Sequence, residues 1–201
     1  MPIKLKICGI NSEKTIHTII ENGGCTYLGF VFYPPSPRNL SFEKSKKLTS
    51  IVPNHIKKIA VLVKPDNSLI EKIKDEFDYF QLYDVTPKRS REVKLISNTK
   101  IIQAIKIQKE KDINLYKKYI GIADEFLFDS SAMEKSLIFN WDYLSNIKVK
   151  GWFLAGGIDI NNVEQASKLT QKIDISSSLE DNPGIKSERK ILEFLKKIKK
   201  L

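Results

Sequence analysis

The sequence predicts an α/β protein, a single-domain (β/α)8 TIM barrel near minimal size spanning residues 1–201. Three observations predict it. Eight short apolar runs rich in β-branched residues recur along the chain, and amphipathic helical segments separate them. Two small-residue turns, Ala155-Gly156-Gly157 and Asp174-Ile175-Ser176-Ser177-Ser178, close the last two runs. Most of the runs are continuous rather than alternating, as expected for parallel strands covered on both faces.

The first strand, Lys4–Cys8, meets Gly9. A helix follows over Glu13–Glu21, with Asn11 or Ser12 as N-cap, Ile16, Ile19 and Ile20 as its inner stripe, and Gly23-Gly24 as its stop. The second strand, Tyr27–Phe32, leads into a proline-rich loop, and the second helix begins at Ser41 with Leu48 and Ile51 facing inward. Strands follow at Lys58–Val63, Tyr79–Leu82, Lys100–Ile105 and Glu125–Phe128, and the helix around Lys111–Tyr119 is the least patterned. Trp152–Ala155 and Lys172–Ser176 complete the eight. A last helix from about Ser187 sets Ile191, Leu192, Leu195 and Ile198 on one side with lysines opposite. Eight units of about twenty-five residues fit the barrel. A doubly wound open sheet is the structural rival, but no Gly-x-Gly-x-x-Gly follows the first strand, which removes its dinucleotide-binding version.

The formal net charge is +10, yet the only arginines are Arg38, Arg89, Arg91 and Arg189, and the lysines are spread over outer helix faces. Nucleic-acid readers concentrate arginine and interleave aromatics, so a solvated surface that draws in anionic substrates is the better reading, with no nucleic-acid partner. No apolar run approaches a bilayer span, and Met1-Pro2-Ile3-Lys4-Leu5 lacks a signal-peptide layout. A cytoplasmic protein without a membrane partner is expected. Cys8 and Cys25 are the only cysteines, which argues for a reducing compartment, and with His17 and His55 they show no metal-ligand spacing. No metal is expected.

In a barrel the chemistry sits where the strands finish. Cys8 ends the first strand, where nearby positive charge could lower its pKa and make it a base or nucleophile; alternatively it is a small buried hydrophobe. Pro34, Pro35 and Pro37 stiffen the loop that carries Arg38, a fork for a carboxylate or phosphate or else an exposed loop arginine. Asp129 ends the sixth strand, where apolar surroundings raise a carboxyl toward general-acid range; alternatively it caps a turn. The last two strands each end in backbone stripped of bulky side chains and are expected to pass to a helix. Exposed N–H groups and a helix N-terminus together predict a phosphate site, the alternative being two tight turns that needed small residues.

Lys6-Ile7-Cys8-Gly9, Gly29-Phe30-Val31-Phe32 with Ser36-Pro37-Arg38, Gln81-Leu82, Asp129, Ala155-Gly156-Gly157 and Asp174-Ile175-Ser176-Ser177 with Pro183-Gly184-Ile185-Lys186 follow one another in a familiar order. Over nearly the whole chain the sequence resembles the phosphoribosylanthranilate isomerase family of tryptophan biosynthesis. The resemblance implies a cofactor-independent Amadori rearrangement of N-(5-phosphoribosyl)anthranilate to 1-(2-carboxyphenylamino)-1-deoxyribulose 5-phosphate. It implies Asp129 as the general acid that opens the furanose ring and Cys8 as the general base at C2. It places Arg38 on the anthranilate carboxylate, and Gly156, Gly157, Ser176 and Ser177 on the phosphate. Asp174 matches a strand-end acid near the substrate. A small phosphorylated substrate is the expected partner, the chain being a monomer or weak homodimer.

Three departures from the family pattern stand out. Tyr83-Asp84 replaces the usual His-Gly after the fourth strand. The stretch Ser131–Trp141 contains no glycine, which bears on lid closure and the placement of Asp129. Ser178 replaces a glycine and is expected to crowd the phosphate approach. These leave room for a non-catalytic or altered-specificity phosphate-binding barrel. A histidine-pathway aminoaldose isomerase pairs two aspartates, and Cys8 argues against it.

Overall fold

The computed structural model of the chain describes residues 2–130 and 138–201. Eight parallel strands, β1 (Lys4–Cys8), β2 (Tyr27–Phe32), β3 (Lys57–Val63), β4 (Tyr79–Tyr83), β5 (Lys100–Ile107), β6 (Glu125–Ser130), β7 (Phe153–Leu154) and β8 (Lys172–Ile175), pair in sequence order. The barrel closes where Lys4–Ile7 of β1 register against Lys172–Ile175 of β8. Helices α1 (Glu13–Asn22), α2 (Phe42–Ser50), α3 (Asn67–Ile73), α4 (Pro87–Ser97), α5 (Val163–Leu169) and α6 (Glu188–Ile198) connect and flank them.

Successive strand side chains point to opposite faces, so each strand splits its residues between the barrel interior and the helix layer. The interior holds Cys8, Tyr27, Val31, Ile59, Val61, Ile102, Ala104, Leu127, Phe153 and Ala155. Intervening residues such as Leu5, Ile7, Phe30, Phe80 and Phe128 pack outward under the helices. The interior also takes polar residues. Lys6 and Gln81 are buried there, and at the end away from the strand tips Lys172 Nζ lies 2.6 Å from Glu125 Oε2.

Local rules explain most elements. Ser12 caps α1 by accepting from the Thr15 N–H at 3.2 Å, and the Gly23 N–H closes its end on the Ile19 carbonyl. Ser41 caps α2 in the same way. The weakly patterned segment is a 3-10 helix, Glu110–Tyr119, and another, Trp141–Asn146, follows β6. In α6 the buried stripe is Ile191, Phe194, Leu195 and Ile198; Leu192 lies one position off it and is partly exposed.

The largest difference from the sequence expectation follows β8. That strand stops at Ile175, and a three-residue 3-10 turn, Ser177–Leu179, leads into an antiparallel hairpin, β9 (Glu180–Asn182) and β10 (Ile185–Lys186), before α6. The chain does pass on to a helix, but through a hairpin that the sequence pattern does not predict. Pro183-Gly184 makes the hairpin turn, and the strands on either side are too short to show periodicity. Both cysteines are free, and among the described residues no helix is long and apolar enough to cross a membrane.

Candidate active site

One cavity opens at the C-terminal ends of the strands. Cys8, Arg38, Asp129, Gly156, Gly157, Asp174, Ser176 and Ser177, every site residue expected from the sequence, line it together with Tyr83, Lys106, Ser130 and apolar Val31, Val61 and Val63. Residues separated by up to 169 positions meet because parallel strands in register deliver their ends to one rim.

Cys8 lies at the end of β1 with Lys6 two residues before it on the same inward face. The Lys6 ammonium is fully buried and donates to Asp174 Oδ2 across the β1–β8 junction at 2.7 Å. Burial works against its charge, but Asp174 and Cys8 more than offset this and raise its pKa. Burial raises the Asp174 carboxyl, and Lys6 draws it only partly back. Asp174 Oδ1 is buried with no hydrogen-bond partner among the described residues. Gly29 makes room for this cluster: a Cβ there would sit 2.9 Å from Cys8 Sγ and 3.2 Å from Lys6 Cε. The lowered thiol pKa expected from the sequence is not what results. Burial pushes Cys8 above its ordinary value, and Lys6 and Lys186 pull it only partway down.

Asp129 lies at the end of β6. Burial lifts its carboxyl to about 6, against the opposing pull of a hydrogen bond from Tyr83. The Tyr83 hydroxyl donates to Asp129 Oδ2 at 2.8 Å and accepts from Gln81 Nε2 at 3.1 Å. Asp84, the other residue of that departure, takes φ +54°, where glycine would be unstrained, and is held by Lys106 Nζ at 2.7 Å.

The loop that carries Arg38 folds back on β2. Leu40 N–H donates to the Val31 carbonyl at 2.9 Å and Tyr33 N–H to Asn39 Oδ1 at 2.7 Å. The guanidinium is not a free fork. Its Nε and Nη2 donate to the two oxygens of Glu180 in β9, each at 2.7 Å, which leaves the two Nη1 hydrogens and the second Nη2 hydrogen as further donors. The buried Lys186 of β10 donates to Glu180 Oε1 at 2.7 Å. Burial would raise Glu180, but Arg38 and Lys186 overcome it and hold the carboxyl at about 2.

The two small-residue turns face the same opening. Gly156 has φ +85°, and a Cβ there would lie 2.7 Å from the Ser130 amide nitrogen, so neither the conformation nor the space admits a side chain. Ser176 Oγ donates to the Cys8 carbonyl at 3.1 Å, and the Lys186 ammonium approaches the Ser176 carbonyl at 3.0 Å. At the β8 turn a buried ammonium paired with Glu180 and a short 3-10 turn stand where a helix N-terminus was expected. Ser178 does not crowd the approach: its hydroxyl donates to the Ile158 carbonyl at 2.6 Å, its φ is not positive, and it lines a different cavity beside α6. Residues 131–137, which form most of the glycine-free stretch, lie outside the described residues.

Lys6, Tyr83, Glu180 and Lys186 join the site without having been singled out for it. Lys6 was legible in principle, since period-2 alternation places it on the face of Cys8. Glu180 and Lys186 lie in a hairpin with no periodic signature.

A closed parallel barrel whose strand tips bring a thiol, a carboxyl and a guanidinium to one cavity belongs to the (β/α)8 enzymes. The family model described as N-(5'phosphoribosyl)anthranilate (PRA) isomerase matches residues 5–197. The N-(5'-phosphoribosyl)anthranilate isomerase of Zymomonas mobilis subsp. mobilis is 35% identical over the whole of both chains. That of Paramagnetospirillum magneticum is 31% identical over 98% of this chain and 97% of its own. The crystal structure of phosphoribosyl anthranilate isomerase from Thermotoga maritima superposes with a TM-score of 0.89 at 25% identity, covering 99% of this chain and all of that one. A phosphoribosyl anthranilate isomerase in complex with reduced 1-(o-carboxyphenylamino)-1-deoxyribulose 5-phosphate superposes at 0.85, with the same identity and coverage. The chain belongs to the phosphoribosylanthranilate isomerase family.

Proposed function

We propose that this protein converts N-(5-phosphoribosyl)anthranilate to 1-(2-carboxyphenylamino)-1-deoxyribulose 5-phosphate, with Asp129 as general acid and Cys8 as general base. The observation that carries this reading is the shared cavity. Cys8 and Asp129 stand on strands at separate points of one rim, with Arg38 on one side and the Gly156, Gly157, Ser176 and Ser177 turns on another. A substrate with a carboxylate at one end and a phosphate at the other needs two anion sites flanking the reacting sugar.

The chemistry follows in two proton transfers. Asp129, whose carboxyl is lifted to about 6, carries its proton in about a tenth of molecules at pH 7, far more than an ordinary aspartate, and gives it to the furanose ring oxygen. The C1–O bond breaks as the anilino nitrogen lone pair forms C1=N⁺. That iminium acidifies the C2 proton, and its positive charge also favours a thiolate nearby. Burial raises the Cys8 thiol, so it must first release its proton to solvent, a loss that Lys6, Lys186 and the iminium charge favour; the thiolate then takes the C2 proton, and the C2–H electron pair forms the C1=C2 enol and neutralises the nitrogen. Protonation at C1 and loss of the enol O–H proton give the ketone. No cofactor enters the balance. Arg38 Nη1 is the donor for the anthranilate carboxylate, and Asp174, whose buried Oδ1 has no partner among the described residues, faces the sugar between the two anion sites. On this reading the protein acts in the cytoplasm, as a monomer or weak homodimer, without nucleic-acid or membrane partners. Its large exposed hydrophobics, such as Leu95, Ile120 and Ile185, lie singly on separate elements.

The test is loss of phosphoribosylanthranilate fluorescence with purified protein. Turnover by the wild type, and a fall of about a hundred- to ten-thousand-fold in Cys8→Ala and in Asp129→Asn, is the expected result. Normal turnover in either variant refutes its role. An inactive wild type that also fails to rescue a tryptophan auxotroph lacking the isomerase identifies a non-catalytic barrel.

A further inference from the structure

Asp129 does not stand alone at the tip of β6. The Tyr83 side chain comes from the tip of β4, two strands away around the barrel, and its hydroxyl donates to Asp129 Oδ2 at 2.8 Å. The direction of that bond is set from behind. Gln81, on the same inward face of β4 and fully buried, donates Nε2 to the Tyr83 oxygen at 3.1 Å, so the single phenolic proton points at the carboxyl. Tyr83 also lines the cavity, and it is one of the positions where the chain departs from the family pattern.

We propose that Tyr83 is the positioning residue of the general acid, occupying Asp129 Oδ2 so that the transferable proton rides on Oδ1, and stabilising the carboxylate left when that proton is given up. This rests on the reading of Asp129 given above. A donor on one oxygen leaves the other as the site of protonation, which fixes the proton's place without a lid or a second acid. A hydrogen bond to the charged form also makes the acid stronger, opposing the burial that weakens it. The phenol keeps its own proton, because burial and the Asp129 charge push its pKa well above the usual tyrosine range.

Among the described residues, the other groups that act on the Asp129 charge lie on three strands. The Ser130 N–H lies on its own strand and favours the carboxylate, while Asp174 on β8 opposes the charge and Lys6 on β1 favours it. Those last two are paired with each other at 2.7 Å and partly cancel. Lys106, opposite Asp129 in the β5–β6 register, has its ammonium on Asp84 at 2.7 Å. Tyr83 is a described neighbour through which the acid can be tuned without disturbing an ion pair.

The experiment reads the Asp129 carboxyl directly. In protein carrying ¹³C-labelled aspartate carboxyls, the signal lost in Asp129→Asn is followed through pH. Tyr83→Phe removes the donor at constant shape, and its midpoint is expected to rise by about one unit. Site-specific 3-fluorotyrosine at position 83, a stronger donor that keeps the Gln81 contact, is expected to lower it. The two replacements moving the midpoint in opposite directions support the proposal; an unmoved midpoint, or both moving it the same way, overturns it. In turnover, Tyr83→Phe is expected to drop kcat to about a tenth with KM within about twofold, as befits a weaker acid. A raised KM at unchanged kcat overturns the proposal in favour of plain substrate contact. Absent turnover in the wild type refutes the isomerase reading instead, and the carboxyl titration, which needs no activity, still decides the role of Tyr83.

Discussion

Removing the charge of Glu180 tests how the hairpin after β8 supports the site. Glu180→Gln keeps the side-chain shape but leaves the partly buried Arg38 guanidinium, at 14% exposure, and the buried Lys186 ammonium, at 0%, without this counter-charge. The magnitude follows from the carboxyl itself. Its pKa falls from 4.5 to about 2 on folding, and at about 1.4 kcal/mol per unit this is worth about 3 kcal/mol. The cost of breaking a buried pair by removing one partner, about 3–5 kcal/mol, agrees. A group held below its unfolded pKa stabilises the fold above that value and loses the contribution as pH falls through the folded one. The difference in unfolding free energy between wild type and Glu180→Gln is therefore expected to be about 3 kcal/mol at pH 7 and to fall below about half of that near pH 3. Urea unfolding followed by circular dichroism at the two pH values measures it. A gap below about 1 kcal/mol at pH 7, or one that does not shrink on acidification, refutes the charge argument.

Gly29→Ala puts a methyl 2.9 Å from Cys8 Sγ and 3.1 Å from Cys8 Cα. We expect a loss of about 1–3 kcal/mol in unfolding free energy and a lower kcat, both read on the purified variant. Asp129→Asn is expected to stabilise the protein while abolishing turnover. A carboxyl raised from 3.8 to about 6 destabilises the fold at pH above both values and not below them. The gain should be about 3 kcal/mol at pH 8 and vanish toward pH 3.5 in thermal or urea unfolding, and equal stabilities at pH 8 would count against the buried-charge account.

Much of the fold was legible in short stretches. Eight apolar runs, the Ser12 and Ser41 caps, and the Gly23 stop each follow from neighbours within a few residues, and the strand-tip rule then placed Cys8, Asp129 and the Gly156-Gly157 turn on the rim. The hairpin at Glu180–Lys186 was not legible. Two strands of three and two residues carry no periodicity, and their purpose, to bring one carboxylate between two cations, appears only when β9 lies beside the loop after β2. Ser178 misled for a related reason: whether a side chain obstructs a ligand depends on where it points, and the Ile158 carbonyl turns it away.

The sequence by itself determined the alternation of strands and helices, the residue types offered at the strand ends and the family to which they belong. Only the closed barrel decided what those residues are to one another. Burial raised the Cys8 thiol where charge alone suggested the opposite, the β1–β8 seam set Lys6 on Asp174, and β4 reached over β5 to place Tyr83 on Asp129. Protonation depends on desolvation and on charges a few ångströms away, and both are fixed by contacts between residues far apart in the chain.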